Sequence, residues 1–288
     1  MTILLAIYFS SQNINATVVT ATVTISDTDP TITNINCYFY NGATYEDGPY
    51  TPSAKTDYPV YCSVDITDNN SYQDIKTVWA KMYHTGSSSY DAADDDDVHY
   101  SNTNTNCTPV KTGSCSGSTC TFNCTFSFKY YADAGTWRVN IRANDTNGGT
   151  TGEGTHDETI NSIKAIESQA LLNLGTLGPG QTSPTLSQTH QNNNTGNDDT
   201  TITVQASADL SCTQGTIPLT NTKYAKTEVA YASACGNLTT NDEWQCPTLT
   251  IPDREDSGTG YQNTTYWGIA IPLGVSGSCN TTITFTAN

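Results

Sequence analysis

Ten cysteines are the residues of this 288-residue chain whose chemistry is easiest to anticipate. They divide into an even set of six in the first half and an even set of four in the second half. Even sets predict disulfides closed within two separate domains, and such bonds persist outside the cytosol, so the protein is expected to be extracellular. The spacing does not choose among the pairings within each set. The two sets are Cys37, Cys62, Cys107, Cys115, Cys120 and Cys124, and Cys212, Cys235, Cys246 and Cys279.

A run of four carboxylates is the second feature that could do chemistry. Asp94, Asp95, Asp96 and Asp97 offer the oxygen ligands that calcium prefers. The run lacks the alternating spacing and the turn glycine of a calcium-binding loop, and adjacent like charges usually form a solvated loop tip. The four aspartates are therefore candidate calcium ligands only. The four histidines are scattered and predict no zinc site.

Catalytic and nucleic-acid-binding functions are disfavoured by motif and charge. The chain has no nucleophile elbow, phosphate-binding loop or dinucleotide fingerprint, and no pair of acids stands out for glycoside hydrolysis. Its net charge of −17, with 11 lysines and arginines, leaves no basic footprint for nucleic acid. We therefore predict a protein that is not an enzyme, needs no cofactor, and serves a structural or binding role.

The elements that position these residues are predicted to be β-strands, because apolar and polar residues alternate in many short runs. Turn sequences separate the runs, which favours antiparallel sandwiches over a parallel sheet. We predict an all-β protein with two Ig-like antiparallel β-sandwich domains and a separate N-terminal strand. The alternating runs cover residues 19–25, 62–66, 122–130, 137–143, 202–206 and 283–287.

The domain boundary is placed near residue 165, with domain 1 at residues 31–165 and domain 2 at residues 166–288. The one helix-like stretch, residues 160–172, could equally be the strand that opens domain 2. Residues 183–200 are polar and predict a long hairpin or loop, and residues 87–106 predict another long loop.

The N-terminus has two readings. Residues 1–16 resemble the end of a signal peptide cleaved after Ala16, although the usual basic start is absent. The other reading is an apolar first strand that is retained. Residues 17–30 then form an amphipathic strand and a linker. No run is long and apolar enough to predict a membrane span.

One segment of domain 1 resembles strand F of immunoglobulin-like domains. Residues 133–139 follow the Asp-x-Gly-x-Tyr-x-Cys pattern, with Trp137 in place of Tyr and Val139 in place of Cys. Residues 143–148 look like the hairpin exit of PKD-like surface domains. Because the usual inter-sheet cysteine is missing, Cys62 and Cys124 are the best substitutes for that staple. The tyrosine corner of the family is also in doubt, because an indole has no hydroxyl.

Domain 2 resembles β-sandwich proteins secreted by archaea. The resemblance rests on residues 174–180, 194–197 and 266–274 and on the Thr-rich closing strand. It implies a cell-surface or extracellular protein, and the group includes surface-layer proteins and filament subunits. Some of those filament subunits join by donor-strand exchange, in which an N-terminal strand completes the sandwich of a neighbour.

Residues 17–26 suit such an exchange. Val19, Ala21, Val23 and Ile25 form one apolar face of an uncharged strand. Donating it would cover a sheet edge of the next subunit with main-chain hydrogen bonds. The alternative is that the segment is the first strand of its own domain.

Two functions follow from different classes. The first is a disulfide-stapled structural subunit of an extracellular filament, tube or surface layer, whose partners are copies of itself. The alternative is a cell-surface adhesin or a glycan- or protein-binding module, which would use the 87–106 loop with Tyr90 and Tyr100 exposed.

Glycosylation is also expected, because Asn-x-Ser/Thr sequons recur along the chain. Asn123 should lie on the outward face of its strand and Asn193 in a loop. Besides Asn15, the sequons are at Asn69, Asn106, Asn123, Asn144, Asn193, Asn237, Asn263 and Asn280.

Overall fold

The computed structural model describes residues 20–40, 44–46, 48–102, 107–109, 114–147, 152–255 and 260–288. Their regular structure consists of β-strands and three single-turn 3₁₀ helices, at Tyr72–Asp74, Leu219–Asn221 and Tyr231–Ser233. The all-β prediction is confirmed. Within these residues, no helix has the length and apolar character needed to cross a membrane.

The first sandwich contains ten strands. They are β1 (Thr31–Tyr40), β2 (Tyr45–Glu46), β3 (Tyr58–Thr67), β4 (Ile75–His84), β5 (His99–Ser101), β6 (Thr108–Pro109), β7 (Cys115–Ser116), β8 (Thr119–Phe128), β9 (Gly135–Asp145) and β10 (Gly152–Ile160). One sheet has the order β2-β1-β3-β8-β6, with β7 also on β8, and the other has the order β10-β9-β4-β5. These orders match the A-B-E-D and G-F-C-C′ sheets of an immunoglobulin-like sandwich.

The second sandwich contains the remaining strands. They are β11 (Ile166–Ser168), β12 (Gln188–Asn194), β13 (Thr200–Ala206), β14 (Leu210–Gln214), β15 (Thr216–Ile217), β16 (Thr222–Ala225), β17 (Gly236–Asn237), β18 (Thr250–Ile251), β19 (Gln262–Ile269), β20 (Ser276–Asn280) and β21 (Ile283–Ala287). One layer has the order β11-β12-β19-β16-β17. The other is a bent ribbon in which β13 pairs with β21 and β14 pairs with β20.

The pairings of the two sandwiches correspond strand by strand. β11, β12, β19 and β16 take the places of strands A, B, E and D, and the β13–β14 and β20–β21 segments take those of C and F. In the first sandwich β10 pairs with β9 as strand G. In the part of the chain that is described, no strand pairs with β21 on the side away from β13.

Period-2 burial builds both cores, as the sequence predicts. Along β3 every second side chain is buried, and the β9 side chains from Trp137 to Ala143 face them across the sandwich. Trp267 of β19 and Val204 of β13 are the corresponding buried residues of the second core. Of the two alternatives for residues 160–172, the structure has the strand: the stretch contains the last residue of β10 and the whole of β11.

One strand, β12, lies where the sequence predicts a polar hairpin or loop. Its Asn192 and Asn194 are fully buried, as is most of His190. Asn194 Nδ2 donates to the Asp198 and Ile251 carbonyls at 2.8 and 3.1 Å, and Asn192 Oδ1 accepts from Ser168 Oγ at 2.6 Å. Buried amides with partners can replace apolar side chains, so a polar stretch forms an interior strand and Asn193 lies on it. The other expected loop, residues 87–106, contains β5.

All ten cysteines form disulfides within their own half of the chain. The expected Cys62–Cys124 staple is wrong. These two residues face each other on neighbouring strands of one sheet, and each sulfur bonds elsewhere. The link towards the other layer is made by Cys107, whose N–H donates to Val78 O of β4 at 2.6 Å. The pairs are Cys37–Cys62, Cys107–Cys124, Cys115–Cys120, Cys212–Cys279 and Cys235–Cys246.

Trp137 replaces the tyrosine corner by another route. The indole is fully buried, and its Nε1–H donates to Asp133 O, four residues upstream, at 2.8 Å. The family's tyrosine makes the same kind of bond with its hydroxyl. An indole N–H therefore takes the place of the hydroxyl of the tyrosine corner.

Candidate functional site

The N-terminal segment carries two of the most exposed large apolar side chains among the described residues. Residues 20–30 form no strand, and all of them except Pro30 are exposed. Val23 and Ile25 retain 86% and 80% of their accessible surface, and Ala21 is exposed too. Val19 and residues 1–16 lie outside the described residues. Apolar side chains that alternate along an exposed segment have the pattern of a strand that no sheet covers.

The linker after this segment is anchored to the first sandwich. Thr28 donates from its N–H and its Oγ1 to Asn70 Oδ1, at 3.0 and 2.7 Å. Pro30 is buried, and a Cβ at Gly152 would lie 2.1 Å from Pro30 O. The anchor ends where β1 begins, so residues 20–26 project from one end of the first sandwich.

The candidate calcium ligands do not converge. Asp94 Oδ1 lies 3.0 Å from His99 Nδ1, and Asp97 N–H donates to Asp95 Oδ1 at 3.1 Å. Asp96 Oδ2 accepts from the Tyr131 hydroxyl at 3.3 Å. Among the described residues, no three His, Cys, Asp or Glu side chains are arranged to hold a metal ion. The run shapes its own turn through internal hydrogen bonds.

Neither of the two tyrosines that were expected to be exposed contacts of an adhesive loop is fully exposed. Tyr100 is 5% exposed, and its hydroxyl donates to Asp96 O. Tyr90 is half-buried, accepts from Trp79 Nε1, and has the Arg142 guanidinium 3.5 Å from its ring centroid. The expectation of two exposed aromatic contacts is wrong, because this segment folds back over the β4–β9 surface.

An acidic contact joins the two sandwiches. Burial, together with the nearby carboxylates of Asp133, Asp199 and Glu255, raises the pKa of Asp253 to about 6. Arg254 lies at the same junction, with its guanidinium 4.9 Å from the Tyr131 ring centroid. The sequence contained no signal for this group, since its partners come from distant parts of the chain.

Hydrogen bonds also cross this junction. Asn197 Nδ2 donates to Ala132 O at 3.1 Å and to Asn161 O at 3.2 Å. Lys55 of the first half and Glu167 of the second form an ion pair of 2.6 Å. The two sandwiches therefore meet through polar contacts.

The sequons differ in how accessible they are. Asn69 and Asn280 are exposed, whereas Asn106 lies outside the described residues. Asn123 points away from the core, between the buried Phe122 and Cys124 of β8. The half-buried sites are Asn123, Asn144, Asn193, Asn237 and Asn263.

Comparison with known proteins identifies no family. No family model and no curated protein matches the chain. A solved C-terminal domain of the Streptococcus agalactiae AgI/II polypeptide BspA aligns at 10% identity over 88% of this chain and 96% of that one, with a TM-score of 0.24. The chaperone–tip adhesin complex of CFA/I fimbriae aligns at 12% identity over 90% and 91%, with a TM-score of 0.26.

A third solved structure is the C-terminal domain of the antigen I/II-family protein AspA from Streptococcus pyogenes. It aligns at 9% identity over 88% of this chain and 99% of that one, with a TM-score of 0.23. TM-scores this low establish neither a shared fold nor a shared function. The immunoglobulin-like assignment rests on the strand order.

Proposed function

We propose that this chain is an extracellular structural subunit that assembles with copies of itself into a filament, tube or surface layer. The N-terminal strand of one copy would add to a sheet edge of the next. The observation that carries the proposal is the apolar face of residues 20–26, with Val23 and Ile25 in water. Strand addition removes that face from water and supplies main-chain hydrogen bonds.

The disulfides support an extracellular site of action. Five of them close within a chain of two sandwiches, a usage typical of oxidising compartments. Glycans on exposed sequons such as Asn69 and Asn280 would fit the same location. The head-to-tail contact is heterologous, so it propagates instead of closing into a dimer.

Face-specific substitution of the N-terminal strand tests the proposal. Val23→Gln with Ile25→Gln removes the apolar face, whereas Thr22→Gln with Thr24→Gln changes the opposite face by the same residue type. Negative-stain electron microscopy of the oxidised, secreted protein should show polymers for the wild type and the threonine pair but dispersed particles for the Val/Ile pair. Deleting Thr17–Ser26 should also abolish polymers while both sandwiches stay folded. Polymers that persist after the deletion would contradict strand-based assembly.

The alternative proposal is a cell-surface adhesin or a glycan- or protein-binding module. The aligned solved structures include adhesins, but their low TM-scores lend no weight. The burial of Tyr100 removes one of its two expected contact residues. Monodisperse wild-type protein that binds immobilised glycans would favour this alternative over the structural subunit.

A further inference from the structure

The place where a donated strand would bind can be located by comparing the two sandwiches. In the first, β10 covers the outer edge of β9, and β1 packs against β10 from the other sheet. In the second sandwich, β21 corresponds to β9 and β11 corresponds to β1. Beside β21, the described chain provides no counterpart of β10.

The outer edge of β21 has backbone groups available for a new strand. Thr201 and Asn288 exchange both backbone hydrogen bonds, at 3.1 and 2.9 Å, and Ser207 N–H donates to Thr282 O at 2.9 Å. Hydrogen-bonded pairs alternate along an antiparallel ladder. The N–H and C=O groups of Ile283, Phe285 and Ala287 therefore point away from β13, as an incoming strand requires.

A groove runs along this edge, between β21 and the segment that starts with β11. Its volume is about 410 Å³. Phe285 forms its floor, stacked on the His190 ring with centroids 4.5 Å apart, and Leu171 stands at its rim with 70% of its surface exposed. β11 is only three residues long, so it leaves most of β21 uncovered.

Residues 17–26 match this groove in length, pattern and charge. Ten residues of strand extend roughly 33 Å, enough to follow the β20–β21 edge. Their alternating small and medium apolar side chains could face Ile283, Phe285 and Leu172. Neither the segment nor the groove lining contains an acidic or basic residue, apart from the buried His190. In a chain of net charge −17, two uncharged surfaces of this kind can meet without repulsion between carboxylates.

We propose that the groove between β21 and residues 166–172 is the acceptor site for residues 17–26 of a second copy of this chain. The donated strand takes the position that β10 takes in the first sandwich. The inference rests on the proposed strand-based assembly and adds where the strand binds.

Site-specific cross-linking tests the assignment in the full chain. A photo-reactive diazirine side chain is placed at position 23, and assembled protein is irradiated, digested and sequenced by mass spectrometry. Cross-links between copies should fall on residues 166–172 and 281–285. Polymers whose cross-links fall on another edge, such as β17 or β5, would overturn the acceptor assignment but leave assembly standing. Wild-type protein that forms no polymer would overturn both.

A matched pair of leucine substitutions gives a second, independent test. Leu171→Asp puts a charge at the groove, whereas Leu273→Asp puts one on a side chain that is 83% exposed and does not line it. We expect Leu171→Asp to raise the concentration needed for polymerisation at least tenfold and Leu273→Asp to leave it unchanged. Circular dichroism should show both variants folded. Equal polymerisation by the folded Leu171→Asp variant and the wild type would contradict the assignment.

Discussion

The two sandwiches share a strand order but differ at one edge, where β10 lies between β9 and β1 in the first sandwich. In the first, β1 closes against β10: a Cβ on Gly154 would lie 2.6 Å from Ile32 Cγ2 and 2.8 Å from Ile35 Cδ1. In the second, the counterpart of β1 has three residues, and the described chain places no strand beside β21. Among the described residues, this edge is therefore covered in the first sandwich and uncovered in the second.

The interiors differ in a related way. The first core is packed with large apolar groups, including Trp137, with Phe128 5.0 Å from its ring centroid. In the second, β12 faces inward with Asn192 and Asn194, and Phe285 remains half-exposed at the groove. The second interior is therefore more polar than the first, and some of its polar atoms are hydrogen-bonded, as Asn194 Nδ2 is to the Asp198 and Ile251 carbonyls.

The largest effect should come from truncating one buried tryptophan in each sandwich. Trp137→Ala should cost about 3–5 kcal/mol of unfolding free energy. Trp267→Ala should cost less, because its neighbour Phe285, 6.0 Å away by ring centroids, borders the open groove and can move or admit water. Thermal denaturation in the non-polymerising Val23→Gln, Ile25→Gln background measures both.

Tryptophan-to-phenylalanine variants at the same two positions are the controls, because they keep an aromatic ring in the core. Each should lose less stability than its alanine counterpart. A larger loss for Trp267→Ala than for Trp137→Ala would contradict the contrast between a sealed and an open sandwich.

A smaller effect is expected from disrupting the packing of β1 against β10 in the first sandwich. Gly154→Val introduces a side chain where Ile32 and Ile35 already lie against the β10 backbone. Overpacking of this kind costs about 1–3 kcal/mol. Gly260→Val is a matched control, because a Cβ there would meet no atom within 4 Å. If both valine variants melt at the wild-type temperature, β1 does not seal the first sandwich in solution.

The smallest effect concerns the contact between the sandwiches. Because the pKa of Asp253 is raised from 3.8 to about 6, the folded protein binds more protons than the unfolded chain between these values. The contribution of this group to stability is therefore present at low pH and is lost as pH rises through about 6. Asp253→Asn should raise the unfolding free energy at pH 7 by about 1 kcal/mol, a figure reduced for partial solvent exposure.

At each pH, the effect of Asp253→Asn is the difference between the unfolding free energies of the variant and the wild type. Burial lowers the pKa of His190, so this histidine acts in the opposite direction and destabilises the fold as pH falls below the usual imidazole range. The gain from Asp253→Asn should shrink towards zero at pH 4. A gain that is the same at pH 4 and pH 7 would show that the carboxyl is ionised normally.

Prediction from sequence succeeded where local pattern decides structure. The alternation at residues 62–66, 137–143 and 283–287 placed β3, β9 and β21 with the correct faces inward. It left residues 183–200 as a hairpin or a loop and did not identify β12 as a buried strand, because buried asparagines carry no apolar signal. It also failed for Tyr100, whose burial depends on how the segment after β4 folds back.

The cysteine pairing shows the same division. Both even sets are closed within their halves. Register places Cys62 between Cys37 of β1 and Cys124 of β8, and it bonds to Cys37, with the Cα atoms 4.0 Å apart, while Cys124 bonds to Cys107. Register is a relation between segments far apart in the chain, and spacing along the sequence does not encode it.

The sequence by itself determined that this is a β-rich, disulfide-stapled, acidic chain with an uncharged amphipathic segment near its N-terminus. Each of these properties is local or additive, so composition and periodicity carry it. Only the tertiary structure decided which strand edge stays uncovered and which polar groups are buried together. Those outcomes depend on how the strands pair and on how far β11 reaches along β21, and pairing is chosen by the packing of the whole sandwich.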